Sequence, residues 1–484
     1  MILVATERFL YGGVFYKDFS ILYTPGIYVY TALAFKLFGV SLYAATISWS
    51  VIRALNCLLI YLVGIEFVSR RAAFVLPLLL WLIPGDPHKG FFVFCVLLSI
   101  LILVKLRYLQ SNRFYFLAGL AVGVILLFRV DICGFFVTGF FIVQMARTTK
   151  YAKAVFDSTE INVSLKNILI FICGSAVSVA PLLLYLLFHD ALAEAFRQTM
   201  DYTAAMKSVW FYLLPMKQLL SFDLLAIYKF IGLTLPFIFY LLVFILLALI
   251  IIKREINDKD IKLFIVFLFG CLTLNQAISY PGISRINQIL PPVLIADVYL
   301  ISRYFSNSIG KPSPKTGLAY RAGLIGLNLL LAVNIIASCS ISDPYINGSI
   351  FMRVFNRTFL SDPKLKVYTK EKYADEFNKV VDAIKKTTQE GEYVFTFPNN
   401  SQMFNFVTGR RALEKYASIP EYMKSTKRQE EVMRLLEEKN VRLIISDLSE
   451  TGKRTLWAPV LDQYIMEHYG PTQKIGSFTL LVRK

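Results

Sequence analysis

The chain has 484 residues, of which 56% are apolar, 15% aromatic and only 17% charged. Its mean hydropathy is +0.57, whereas soluble domains carry roughly 25% charged residues. An ordinary soluble protein is excluded, and an integral membrane protein with a polar appendage is expected. The net charge of +18 is divided between short loops and a polar tail, which fits positive cytoplasmic loops better than a nucleic-acid surface.

The first 41 residues are Tyr-rich and hold a lone Asp18 and a Thr24-Pro25-Gly26 turn. They read as part of an outer loop, followed by an amphipathic helix lying along the membrane. Apolar runs of the length a hydrocarbon core requires, about 20 residues each, then recur. They fall at 42–68, 71–84, 90–108, 115–130, 131–147, 166–188, 224–252, 261–280, 285–302 and 317–340. The expected core, 42–340, is therefore a polytopic bundle of about ten helices. Segments 71–84, 115–130 and 131–147 are short enough to be tilted or half-helices. Arg70-Arg71, Lys105, Arg107 and Arg113, Arg147 to Lys153, Lys253 to Lys262, and Arg303 to Arg321 occupy every second loop. Those loops are expected in the cytoplasm. The N-terminus, the 84–90 turn, the connection at Arg129 and Asp131, the 189–223 segment and the 279–285 turn then face outside. The 188–215 stretch, with His189 and Arg197, reads as helices lying on the outer membrane surface.

From 341 the chain turns polar and reads as a small extracytoplasmic α/β domain. Helices are expected at 371–389, 424–439 and 456–469, and strands at 393–397, 441–446 and 478–483. The alternation suggests a largely parallel sheet. The "SETGK" at 449–453 lacks the spacing of a phosphate-binding loop. The six cysteines form no C-x-x-C pair, and none lies in the polar tail. The three histidines are far apart in sequence. Neither a disulfide framework nor a metal site is expected.

Ionisable side chains at a membrane edge are costly to desolvate and usually have partners or a function. On the outer edge, "PGDPHKGFF" sets Asp86, His88 and Lys89 just before a helix. A carboxylate beside cations suits phosphate chemistry, with the acid orienting an acceptor. It equally suits a helix cap with a snorkelling lysine. "LLFRVDICGFF" sets Arg129 and Asp131 between two apolar runs, as a structural ion pair or with Arg129 turned to a lipid phosphate. "ISYPGISRINQ" adds Tyr280 and Arg285, either an interfacial anchor or a planar fork for phosphate.

The opening "ATERFLYGGVFYKDFSILYTPGIYVYTALAFKLFG" contains A-x4-L-x-G, then Tyr-x-Asp-Phe, then Pro-Gly-x-Tyr and a run ending Lys-Leu-Phe-Gly. Weaker patches are "FLAGLAVGVILLFRVD", "SRINQILPPVLI" and "VFTFPNNSQMFNFVTGRRAL". Together they resemble the GT-C superfamily of membrane glycosyltransferases, in its family-39-like branch, which includes the bacterial aminoarabinose transferase and the protein O-mannosyltransferases. The resemblance implies inverting transfer from a polyprenyl-phosphate sugar to a lipid, glycan or protein acceptor, on the outer face of the cell's inner membrane, without nucleic acid. It implies Asp86 as a supporting acid. Lys89, Arg129 and Arg285, with His88 and Tyr280, would meet the donor phosphate, and Asp18 and Tyr23 would line the cavity. No cofactor is implied. The pattern's acidic residue would fall ahead of Met1, so the chain as given is expected to lack a first transmembrane helix and that acid: either the native start lies upstream, or this is a truncated, inactive copy. The rival readings are an O-antigen-type polymerase or ligase, and a transporter or flippase. The latter predicts an inverted repeat and charge in mid-span, and the sequence presents neither.

Overall fold

The computed structural model describes residues 2–21, 23–83, 87–106, 111–148, 165–207, 237–248, 258–274, 283–305, 322–323, 325–329, 331–332, 358–360, 362–365, 367–369, 371–397, 402–413, 425–447 and 458–484. The chain forms two compact units. One comprises 49–184 and 209–351; the other comprises 1–48, 185–208 and 352–484.

The first of these is helical. Leu42–Gly64 enters it and is followed by Arg70–Ala73 and Val75–Leu82. Next come Gly90–Leu106, Asn112–Phe128 and Val130–Thr148. Leu165–Phe188 leads out, and Phe237–Ala248, Asp258–Thr273 and Ile283–Phe305 complete the described helices of this unit beyond the short pieces at 322–332. Leu42–Gly64 and Lys166–Phe188 are long and apolar enough to cross a membrane. Gly90–Leu106 is apolar all round, as a helix enclosed by others must be. Its Phe92, Val96, Ile100 and Val104 are fully enclosed, and it packs against the helices beginning at Asn112, Val130, Asp258 and Ile283.

Small residues bring two helices together at backbone distance. Gly119 and Gly123, spaced as G-x-x-x-G, face Gly174 and Ser178. A Cβ on Gly119 would overlap the Phe171 carbonyl, and one on Gly174 the Phe116 carbonyl. Ser178 Oγ accepts from the Gly123 amide at 3.1 Å. Close approach through small residues replaces the hydrophobic drive that lipid cannot supply.

The basic loops converge at one end of this unit. Glu66 accepts from Lys105 Nζ at 2.5 Å and Lys262 Nζ at 3.0 Å. Asp260 pairs with Arg303 and accepts from Tyr299 at 2.7 Å. Lys259 donates to the Phe67 carbonyl at 2.7 Å. Residues 64–68, 105, 258–262 and 303 thus share one helix-bundle end, as the alternation of basic loops requires. One expectation is corrected: Asp297 lies inside the 285–302 run, buried, accepting from Asn328 Nδ2 at 3.1 Å. A single acid inside the apolar stretch from Ile289 to Leu300 leaves no visible mark on a hydropathy average.

The other unit gathers the N-terminal residues, the 185–208 segment and the C-terminal domain. The N-terminal segment is less loop-like than expected. Ile2–Leu10 is a helix with Ile2 to Thr6 buried, and it packs on Gly26–Phe38. The latter helix turns Val29, Leu33 and Leu37 outward, and Leu192–Lys207 does the same with Leu192, Phe196 and Met200. Apolar stripes at i, i+4 and i+8 facing away from protein are what a helix lying in a membrane interface needs.

In the C-terminal domain, β1 (Thr358–Leu360) pairs antiparallel with β2 (Val367–Thr369). Five further strands form a sheet: β3 (Tyr393–Phe397), β4 (Arg411–Ala412), β5 (Leu443–Asp447), β6 (Tyr469–Ile475) and β7 (Phe478–Arg483), in the order β4-β3-β5-β7-β6. Helices Glu371–Thr387, Thr426–Glu438 and Pro459–His468 match the sequence reading. The sheet is mixed rather than largely parallel. β3 runs parallel to β4 and β5, whereas β7 is antiparallel to both β5 and β6. The difference arises at β6, where "YGPTQKI" exposes four successive residues. An edge strand without an apolar face offers no period-2 signal.

The N-terminal helix and this domain are joined by side chains. Lys364 Nζ reaches Glu7 at 3.0 Å and the Phe406 carbonyl at 2.8 Å. Arg8 donates to the Ala412 carbonyl at 2.7 Å, and Phe35 stacks on Phe406 with centroids 6.3 Å apart.

Candidate functional site

The first loop is built around Tyr16. This residue is buried with φ +67°, a left-handed conformation unusual for a bulky side chain. The strain persists because its surroundings over-determine it. Its amide donates to the Phe19 carbonyl at 2.9 Å, and its carbonyl accepts from Gln198 Nε2 at 2.8 Å. Phe15 stacks on Phe9 and donates its amide to the Tyr185 hydroxyl at 3.3 Å. Burial pushes the Tyr16 phenol upward, so it stays protonated. Asp18 closes the turn: its Oδ2 accepts from the Val14 amide at 2.7 Å, and the side chain is exposed. Lys17 Nζ donates to the His189 carbonyl at 3.1 Å. Tyr23 donates its amide to the Tyr28 hydroxyl at 3.4 Å. The expected loop residues are therefore held by a framework that includes Tyr16, Gln198 and Tyr185, which the sequence does not single out. The positive-φ Tyr16 leaves no signal there, because Tyr is not a residue that normally marks such a conformation.

In the helical unit, Pro87–Lys89 forms one 3-10 turn leading into Gly90–Leu106. The Asn56 side chain donates to the Gly90 carbonyl at 2.9 Å and so fixes this helix start. His88 lies edge-on to Trp49 with ring centroids 6.2 Å apart. Arg129 and Asp131 pair through two bonds, Nε to Oδ1 at 2.9 Å and Nη2 to Oδ2 at 2.6 Å. Residues two apart do not share a helix face; the pairing works because Arg129 is extended, between the two helices. Its guanidinium also lies 4.8 Å from the Phe92 ring centroid, and Phe91 stacks on Phe128 at 5.0 Å. The turn carrying His88 and Lys89 and the turn carrying Arg129 thus meet at one end of the bundle.

Arg285 belongs to the first turn of Ile283–Phe305. The last turn of that helix lies in the basic-loop cluster through Arg303, and so does the last turn of Gly90–Leu106 through Lys105. The two helices therefore run in the same direction, and Arg285 and Lys89 start them at the same end. Asp86, Tyr280 and the side chain of Arg285 lie outside the described residues. Among the described residues, no group of three or more His, Cys, Asp or Glu side chains is placed to hold a metal.

This arrangement invites comparison with solved structures. The apo oligosaccharyltransferase of Archaeoglobus fulgidus superposes with a TM-score of 0.50 at 13% identity, over 97% of this chain and 68% of that one. The chain shares the fold of that oligosaccharyltransferase. ArnT from Cupriavidus metallidurans bound to undecaprenyl phosphate gives a TM-score of 0.49 at 11% identity, over 99% of this chain and 92% of that one. No protein-family model matches the chain, and no curated protein matches it. The fold expected from the opening sequence patches is borne out. Among the described residues this fold comprises a helical unit, with two helices long and apolar enough to cross a membrane, and a C-terminal domain with a small sheet.

Proposed function

We propose that this chain is an integral membrane glycosyltransferase that takes its sugar from a polyprenyl-phosphate donor. Fold does not by itself fix chemistry. What supports the reading is a bundle with this fold in which the turn before Gly90 and the turn at Arg129 are joined through Phe91, Phe92 and Phe128, with Arg285 opening a helix at that same end. As the bond from the anomeric carbon to the donor phosphate breaks, negative charge grows on the phosphate oxygens. Fixed cations in a poorly solvated site stabilise that growing charge more than they stabilise the ground state. In this reading Lys89 and Arg285 meet the phosphate directly. Arg129, already tied to Asp131, holds the site's field and geometry, while His88 and Tyr280 complete its wall. Asp86 orients the acceptor hydroxyl for attack on the face opposite the leaving phosphate, which inverts the anomeric centre. The acceptor is a lipid, glycan or protein, and the site faces the outside of the inner membrane.

The test is transfer of a radiolabelled sugar from a polyprenyl-phosphate donor to membrane acceptors. Losing one phosphate-binding cation should lower transfer by about 10²–10³-fold in Arg285→Ala and in Lys89→Ala. Unchanged transfer in both variants sinks the phosphate assignment.

A further inference from the structure

The three parallel strands of the C-terminal sheet begin side by side, at Tyr393, Arg411 and Leu443. Ligands of open α/β sheets usually sit at the opposite, carboxyl ends. Yet it is at these starts that cations collect. The Arg411 guanidinium and the Lys439 ammonium lie over the Tyr393 ring, 5.9 Å and 5.8 Å from its centroid. Arg442 adjoins them at the entrance to β5, and Arg483 sits beside it on β7, donating to Asn440 Oδ1 at 2.9 Å. From the N-terminal helix, Arg8 reaches in to bond the Ala412 carbonyl. Its guanidinium is depressed by burial first; the Tyr393 phenol offsets this in part, and the like charge of Arg411 adds to it.

Carboxylates do not balance this group. Glu392 meets Arg442 at 3.8 Å, and Glu437 accepts from the Tyr464 hydroxyl at 3.1 Å. Among the described residues, Arg411 and Lys439 meet no carboxylate; both are exposed and carried on an aromatic ring. Like charges set together repel, and a protein that keeps them so gains when an anion enters between them. A planar guanidinium beside a compact ammonium suits the several oxygens of a phosphate.

We propose that the strand-start end of the C-terminal sheet is a phosphate-binding site, formed by Arg411, Lys439 and Arg8 around Tyr393, that takes a phosphate group carried either on a lipid headgroup or on a soluble phosphorylated sugar. It lies on the unit that also holds the first loop.

The experiment uses the full chain. In detergent, pyrophosphate is titrated at constant ionic strength against thermal unfolding, with chloride as the control. In parallel, unfolding is compared in nanodiscs of phosphatidylcholine alone and with added phosphatidylglycerol. Arg411→Ala with Lys439→Ala, and separately Lys439→Glu, are exposed changes that leave the core intact. Removing one charge-assisted hydrogen bond should weaken binding about tenfold or more. Saturable pyrophosphate stabilisation that disappears in both variants identifies a soluble phosphate as the source. Stabilisation by phosphatidylglycerol alone, again abolished in both variants, identifies the headgroup. No saturable response to either probe, or a response that the variants retain, overturns the proposal.

Discussion

Glu66→Gln tests whether the basic-loop cluster holds the helical unit together. Glu66 answers two lysines, and its side chain is 15% exposed; Lys262 is 8% exposed and Lys105 38%. A charge-assisted hydrogen bond contributes about 1.5–3 kcal/mol. The Lys105 bond is discounted toward the surface value of under about 1 kcal/mol, since water and salt screen it. Glutamine keeps the shape and one acceptor oxygen but removes the charge, which leaves the Lys262 ammonium facing the Asp258 carboxylate at the longer distance of 3.9 Å. The expected loss is about 2–3 kcal/mol, near the lower end of what breaking a buried pair costs. Adding Lys262→Met should recover most of it, because the buried charge then has no unmet need. Denaturant unfolding of the purified full chain, followed by helical circular dichroism, gives both numbers. If Glu66→Gln costs under about 0.5 kcal/mol, a value typical of surface changes, or if the double variant is no more stable than the single, the cluster is not what locks these helices.

Further outcomes follow from the rest of the structure. Gly119→Val places a branched side chain where even a Cβ overlaps the Phe171 carbonyl; overpacking of this kind should cost about 1–3 kcal/mol or more, read as earlier unfolding and loss of a monodisperse detergent peak. Asp18→Asn keeps an oxygen for the Val14 amide, so stability should change by less than about 0.5 kcal/mol, while sugar transfer falls at least about threefold if the lost charge faces an acceptor; unchanged transfer makes Asp18 a turn residue alone. Tyr469 has its phenol pushed up to about 12, by burial first and then by Tyr464, and its hydroxyl donates to the Val441 carbonyl at 2.8 Å. A raised phenol means that the folded state holds the proton more tightly. Its stabilisation is therefore full below the unfolded value of about 10, and it is lost as pH rises through 10 to 12. Tyr469→Phe should flatten this part of the alkaline unfolding profile, as measured by tryptophan fluorescence.

The helices were legible because their signal is local. Runs such as 90–108 and 115–130 are apolar on every face, and those at 371–389 and 424–439 carry a 3.6-residue period; both survive any reasonable tertiary context. β3 and β7 were readable for the same reason. β6 was not, since its exposed residues follow no alternation, and with it went the mixed character of the sheet. Of the site, the residue types were visible in the sequence: cations and a carboxylate in turns beside apolar runs. Their grouping was not. That Arg129 would lie over Phe92 while paired with Asp131 depends on one extended residue between two helices, and nothing in the spacing of residues 129 and 131 announces it.

Composition and the apolar runs were enough to determine a mostly helical, apolar chain with a polar C-terminal domain, because the burial of apolar side chains and the period of a helix depend on residue type and order along the chain. Only the tertiary structure decided which distant segments share a body: that Glu7 meets Lys364, that Arg8 reaches β4, and that Glu66 answers Lys262. Each of these contacts is a pairing of charges and carbonyls over hundreds of residues or across helix ends. Its energy exists only after packing has brought the partners within hydrogen-bond range, so a reading of the chain in one dimension contains the partners but not the choice between them.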